Sequence, residues 1–517
     1  MKVSTCGIPK KKKQSNSSSS IEYMNSNADI SFLEEKYKLP ITEFLIVTCK
    51  NVEIRAEYNS KDGLNSIGTL HLTPHYLVFS DYKDHQYMNF TIHLGNIRKM
   101  EKVNNSDQLM IILTLASTVA KTRLLIRFNK FTQHGSNFII NLKRCLVNDI
   151  NIAKNIMPEF NNSLMTTKFL KNHLEQKDRN SIIDIDNEQK NNDHLDNKGL
   201  GFLHGYPGDE IITKQDIKQK LWIEFFTKNG TGLRIIKTND FYKLIRVGIC
   251  DIFRGEIWEV LSGAMYQRFQ QPGIYQEILK SNMAKNSQAI EDIEKDVRRS
   301  LPEYKGFLDD AAGIDSLRNV LVAYSWKNPE VGYCQAMNIV AAQLLIYIGE
   351  EETFWCISQL CENYLKGYYS KNMEGIVMDQ KILEYLIQDK IPVLYNHIQR
   401  YDIQITVMTL SWFLSIFTTV LPLEYSARIL DIFWVNGGRL SLFQVSLAIL
   451  KICGENLLIC TDDAHFVSVF RNFFSKIDHN TFQKIMVTAF KEFGVIDYKF
   501  IDLIKAKIER SDSKGTW

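Results

Sequence analysis

The 517-residue chain contains no Cys-x-x-Cys pair, no His-Glu-x-x-His and no Gly-x4-Gly-Lys-Ser/Thr. Its nine cysteines, at 6, 49, 145, 250, 334, 356, 361, 453 and 460, are odd in number and irregularly spaced. That pattern fits reduced cytosolic thiols and argues against a disulfide framework or a zinc site. The eleven histidines form no clustered ligand set, which argues against a transition-metal enzyme. Without a phosphate-cradling loop the chain is not expected to hydrolyse a nucleotide by itself. A strong basic bias is also missing. Lys plus Arg is 62 against 59 for Asp plus Glu, a net charge of +3, and five of the lysines fall in the first twenty residues with no acid among them. Nucleic acid is therefore excluded as the main partner. Lys10 to Lys13 are followed by Gln14 and the serines 17 to 20, not by an apolar stretch, so no signal peptide is expected. Two long uncharged runs, 331–349 and 403–423, hold Gln335, Asn338, Gln343, Gln404 and Pro422. Side chains of that kind are costly in a bilayer, so both runs read as helices buried in a large helical domain.

What is present divides the chain. Residues 1–38 are polar, Ser-rich and Asn-rich, the composition of a disordered tail. From about 39 to 150 the pattern is that of strands closed by a helix. Ile41 to Tyr58 is rich in β-branched residues, and the runs 69–72 and 76–79 flank Thr73-Pro74-His75. Leu124, Ile126 and Phe128 alternate with Arg123, Leu125 and Arg127, a period of two. Phe138, Leu142, Cys145 and Leu146 then share one stripe of a helix expected over 133–149. Residues 151–215 read as a largely disordered linker, dominated at 181–199 by Asn, Asp, Gln and Lys. An all-helical domain is expected over 216–510 and a short tail over 511–517. The polar linker implies two separately folding units.

Two segments carry chemistry. In Asp292-Ile-Glu-Lys-Asp-Val-Arg-Arg-Ser-Leu-Pro302, the spacing of Ile290, Ile293 and Val297 makes a buried helix stripe. At 100° per residue Arg299 lies about 180° from Ile290 and points outward. Pro302 ends the helix near Ser300, and Asp296 stands one turn before the arginine. A last-turn arginine is also what the helix dipole favours, so this segment alone decides nothing. The second segment is Asn328-Pro-Glu-Val-Gly-Tyr-Cys-Gln335, a turn that opens the first uncharged run. Gln335 is there a helix cap, a satisfied core amide or a displayed amide that aligns water. Cys49 and Arg55 have the Cys-x5-Arg spacing of cysteine phosphatases, but the five residues between them include no glycine and read as strand.

The stretch Gly68 to Asp81, together with the helix 138–147, resembles the GRAM domain, a PH-like β-barrel closed by a C-terminal helix. Such modules dock on membranes or proteins. Arg98, Lys99, Lys102, Lys121 and Arg123 either face acidic headgroups such as phosphoinositides or form an ordinary solvated rim. The later segments resemble the TBC domain of Rab GTPase-activating proteins. Ile293, Asp296 and Arg299 match Ile-x-x-Asp-x-x-Arg, and Tyr333, Cys334 and Gln335 match Tyr-x-Gln. Arg246, Gly248, Ile249, Arg254 and Trp258 match the opening motif, and Ser411-Trp412-Phe413 and Arg428-x-x-Asp431 match later ones. The order of the two domains resembles the GRAM-containing subfamily.

This resemblance implies a multidomain α+β chain that acts on a GTP-bound Rab. It implies a regulator without a GTPase site or cofactor of its own, because the partner carries Mg-GTP. Arg299 and Gln335 would be catalytic in trans, with Asp296, Tyr333, Arg246 and Arg254 in support and Trp258, Trp412 and Phe413 in the core. The expected setting is cytoplasmic, peripheral on endomembranes, in vesicle transport. Two positions depart from the family pattern: Cys250 stands where proline is usual, and Ala336 where glycine is usual. The competing readings are a TBC scaffold that binds a Rab without accelerating it, and a lipid phosphatase resting on Cys49 and Arg55.

Overall fold

The computed structural model describes residues 37–40, 43–58, 65–82, 89–105, 108–115, 122–128, 134–155, 160, 164, 166–171, 199–208, 212–282, 285–308 and 312–514. Most of the expected tail, the stretch 181–198 and Lys121 lie outside these residues.

The N-terminal unit begins with strands β1 (Val47–Tyr58), β2 (Asn65–Leu72), β3 (Tyr76–Asp81) and β4 (Phe90–His93). Strands β5 (Ile97–Asn105), β6 (Gln108–Leu115) and β7 (Thr122–Phe128) follow, and then helix α1 (His134–Asn155). The strands pair antiparallel in the order β5-β6-β7-β1-β2-β3-β4. Alternate residues of each strand point to one face, so Val52, Ile54, Ile111, Leu113, Leu124, Ile126 and Phe128 share one buried core. Helix α1 covers it with Phe138, Leu142 and Leu146, spaced four apart. The strand pattern and the helix match the sequence reading; β4 and β5 were not legible in it.

The second unit is helical, with one large core running from Leu164 to Ile504. The helices that matter below are α2 (Asp251–Ser262), α3 (Ala264–Gln270), α4 (Gln288–Val297), α5 (Ala312–Lys327), α6 (Met337–Tyr347), α7 (Leu423–Val435) and α8 (Arg439–Leu457). The uncharged run after residue 331 becomes α6, buried along almost its whole length, including Asn338 and Gln343. Helix α8 is long and apolar enough to cross a membrane by composition, yet it is 72% buried inside the protein. It packs as a core helix.

Three boundaries shift. Tyr37 does not belong to a loose tail; with Leu39 it packs on Tyr76 and Val78 of β3, and its hydroxyl meets His71 at 2.9 Å. Parts of the expected linker are folded: Leu164 and Leu170 enter the helical core, and residues 199–208 lie along it. The last helix, Tyr498–Lys514, runs into the expected C-terminal tail.

The expectation of two separately folding units is also corrected. A three-residue strand at the start of the helical unit, β8 (Ile236–Thr238), pairs antiparallel with β4 and extends the sheet to eight strands. Lys237 of β8 is buried, lies 5.1 Å from the centre of the Tyr76 ring and donates to the Val260 carbonyl of α2 at 3.3 Å. Tyr266 of α3 packs its ring against His75 and His93, at 4.4 and 4.7 Å between centroids. Asn96 donates to the Arg234 carbonyl at 2.9 Å. Removing one unit would strip partners from buried polar groups of the other.

Candidate functional site

Helix α4 is built as the sequence suggests. Ser287 caps it, its hydroxyl taking the Ile290 N–H, and Ile293 and Val297 are buried. The helix stops at Val297, three residues before the expected end. Arg298 is the C-cap, and Arg299 stands in the turn beyond. Arg299 is 61% exposed while Asp296 is 7% exposed, so a buried carboxylate holds an outward guanidinium. The Arg299 Nε donates to Asp296 Oδ1 at 2.9 Å, and Nη2 bonds the same oxygen.

The other Asp296 oxygen is taken by the second segment. The Tyr333 hydroxyl donates to Asp296 Oδ2 at 2.6 Å. Burial and this bond to a carboxylate push the Tyr333 phenol well above its ordinary range, so it stays a donor. Two residues on, Gln335 is exposed. Its backbone carbonyl takes the Cys334 thiol, and burial together with Asp296 pushes that thiol up, away from thiolate chemistry.

A second bridge joins the segments from below. Asn338, buried at the start of α6, accepts the Ala336 N–H through Oδ1 at 3.1 Å. Its Nδ2 donates to the Ser300 hydroxyl at 2.7 Å, and that hydroxyl donates to the Asp296 carbonyl at 2.8 Å. Arg299 is thus followed by Ser300, bonded across to Asn338, and Gln335 stands two residues after Tyr333, bonded across to Asp296. The sequence reading missed Asn338 and Ser300. The available signal was an amide near the start of an otherwise apolar buried helix, which needs a partner.

The remaining supporting residues sit elsewhere. Arg254 is buried in α2, bonded to Asp251, to Asp431 of α7 at 3.1 Å and to the Ile249 carbonyl at 3.2 Å. Trp258 Nε1 donates to the same Asp431 at 2.8 Å, and Arg428 bonds it as well. The opening and late motifs therefore meet at one buried carboxylate. This hub reaches the site indirectly: the Arg254 guanidinium lies 5.0 Å from the ring of Tyr347, the last residue of α6. Arg246 is exposed, and its carbonyl accepts from Arg428 at 2.9 Å. Trp258, Trp412 and Phe413 are core residues.

The two departures have different consequences. Cys250 takes φ −66°, the angle proline would impose, so the turn is kept. Ala336 takes φ +84° and ψ −20°, a left-handed conformation that glycine adopts without cost.

The other candidates give little chemistry. Cys49 is buried on β1 facing the barrel core, burial raises its thiol, and the residues from it to Arg55 run as strand and not as a phosphate-cradling loop. Arg98, Lys99, Lys102 and Arg123 are exposed, but Lys99 bonds Glu101 at 2.7 Å and Arg127 bonds Glu53 at 3.2 Å on the sheet. The rim is of mixed charge.

The Rab-GTPase-TBC domain model matches residues 251–458, and the GRAM domain model matches residues 31–145. GTPase-activating protein gyp2 of Schizosaccharomyces pombe is 34% identical over 439 residues, 84% of this chain and 58% of the relative. TBC1 domain family member 2B of Homo sapiens is 31% identical over 268 residues, 51% of this chain and 28% of the relative. The chain thus spans less than two thirds of the length of these curated relatives. Among solved structures, the Chlamydomonas flagellar RabGAP TBC domain is 28% identical, with a TM-score of 0.47, covering 55% of this chain and 96% of that one. The chain thus carries a GRAM domain followed by a Rab-GTPase-TBC domain.

Proposed function

We propose that this chain accelerates GTP hydrolysis by a GTP-bound Rab-family GTPase, with Arg299 and Gln335 supplied in trans, and so acts in vesicle transport. The observation that carries the reading is the double bridge, Tyr333 to Asp296 and Asn338 to Ser300. It ties the segment that carries the exposed Arg299 to the segment that carries the exposed Gln335.

Hydrolysis by a small GTPase alone is slow, because charge on the transferring phosphoryl group is poorly stabilised and the attacking water is poorly placed. A guanidinium fork answers the first need and a displayed amide the second. A side chain held before the partner arrives costs less to order in the transition state. Asp296 uses one oxygen on Arg299 and the other on Tyr333, which pins the carboxylate and through it the finger. Mg-GTP belongs to the partner in this reading. The mixed charge of the GRAM rim gives no support to a phosphoinositide pocket there.

The test is phosphate release from a panel of GTP-loaded Rab proteins, beside a phosphoinositide hydrolysis assay. Acceleration of at least one Rab and no lipid hydrolysis is expected. Binding without acceleration across the panel would replace the reading with that of a scaffold.

A further inference from the structure

Residues 199–208 lie outside the segment that the TBC model matches, yet they touch the elements behind both proposed fingers. On the glutamine side the contact is at the far end of α6. The Leu200 N–H donates to the Leu345 carbonyl at 2.8 Å, one of the last carbonyls of that helix, which no intrahelical donor can reach. The approach is close. A Cβ on Gly199 would lie 2.4 Å from the Tyr347 carbonyl carbon, and one on Gly201 would lie 2.7 Å from the Ile346 oxygen. Tyr206 stacks on Tyr347, centroids 5.6 Å apart and planes 16° from parallel. Tyr347 is the ring that Arg254 and Trp258 also contact.

On the arginine side the contact is with the loop that follows Arg299. The Tyr304 hydroxyl donates to the Gly205 carbonyl at 2.9 Å. The Leu200 side chain sits over Gly306 and Gly313, its Cδ1 being 3.2 and 2.8 Å from where their Cβ atoms would be. One leucine therefore bonds α6 through its backbone and seats the arginine loop and the start of α5 with its side chain. Loop 301–308 also buries Leu301, Tyr304 and Phe307 in the core, and Leu301 turns it with φ +47°.

We propose that residues 199–208 are a positioning strap for the catalytic surface, coupling the loop behind Arg299 to the helix behind Gln335. This rests on the Rab-directed reading above. The strap touches neither finger; it fixes their relative placement, and a misplacement of about 1 Å in a catalytic group costs about 100-fold in rate.

The experiment uses the full chain with Tyr304→Phe, which deletes one hydroxyl, and Leu200→Ala, which empties the seat; Leu200→Met serves as the conservative control. We expect kcat on a responsive Rab to fall about 10-fold or more, with KM within about 2-fold, and Leu200→Met to restore most of the loss. Hydrogen exchange should rise together in 299–308 and 335–347, because one element holds both. A role in stability alone would lower the melting temperature and leave kcat per folded molecule unchanged, which overturns the proposal. Faster exchange in only one of the two segments overturns it as well. If the wild-type chain activates no Rab, the functional reading falls by itself. Joint loosening of the two segments would then still support the coupling, and its absence would end it.

Discussion

Tyr333 and Asp296 lie 37 positions apart and meet at 2.6 Å, the phenol donating to the carboxylate oxygen that Arg299 leaves free. This bond makes the two motif segments one unit. Tyr333→Phe keeps the ring and removes the donor. A bond to a charged acceptor contributes about 1.5 to 3 kcal/mol, so kcat/KM should fall about 10-fold or more. The circular dichroism spectrum should not change. Steady-state kinetics on a responsive Rab is the check, and an unchanged rate would mean that Asp296 is held without Tyr333.

Ala336→Gly should raise stability. The alanine methyl is held at φ +84°, which costs about 1 to 2 kcal/mol, and the gain is partly offset by the freer unfolded chain of glycine. A net gain of roughly 1 kcal/mol in urea unfolding is expected. The rate should stay within about 2-fold, because Asn338 already fixes the Ala336 backbone. A destabilised glycine variant would contradict the left-handed assignment.

Lys237 gives the joint between the units a pH signature. Burial lowers its pKa from 10.5 to about 8. Between those values the unfolded chain binds more protons than the folded one, so this residue makes stability rise with pH across that window. The rise amounts to about 3 kcal/mol at most, from 1.36 kcal/mol per pKa unit. Lys237→Met should lack it. Denaturant unfolding of both proteins at about pH 8 and about pH 10 provides the comparison, and parallel pH dependence would place the amine in water.

Some of this was legible in the sequence, and the reasons differ residue by residue. Ile293, Asp296 and Arg299 are close in sequence, and helical periodicity alone places the first inward and the last outward. Strand β7 has its period of two in Leu124, Ile126 and Phe128 and announces itself. Strand β8 has three residues, too few to show a period, and it pairs with a partner more than a hundred positions away. The same distance problem hid Asn338 and Ser300: each looks ordinary alone, and only folding brings them to 2.7 Å. Residues 199–208 were hidden by their Asn- and Asp-rich neighbours, although Gly199 and Gly201 marked a close backbone approach.

Gln335→Ala should lower kcat more than it lowers binding, since an amide that aligns water acts mainly in the transition state. The informative partner is a Rab whose own catalytic glutamine has been replaced. The wild-type chain should still accelerate it, and the alanine variant should not. Equal rates for the two proteins would return the water to the GTPase.

Single-turnover GTP hydrolysis with Arg299→Lys tests the central claim most directly, because the charge is kept and the planar fork is lost. If Arg299 only balanced the end of α4, lysine would serve almost as well, the interaction being worth about 0.3 to 1 kcal/mol. As the finger, its replacement should cost about 100-fold or more in kcat/KM, roughly 2.7 kcal/mol, while the fold is unchanged and Arg298→Lys has little effect. A replaceable Arg299 beside an essential Arg298 would contradict the account, for it would put the finger one residue away from the side chain that Asp296 holds.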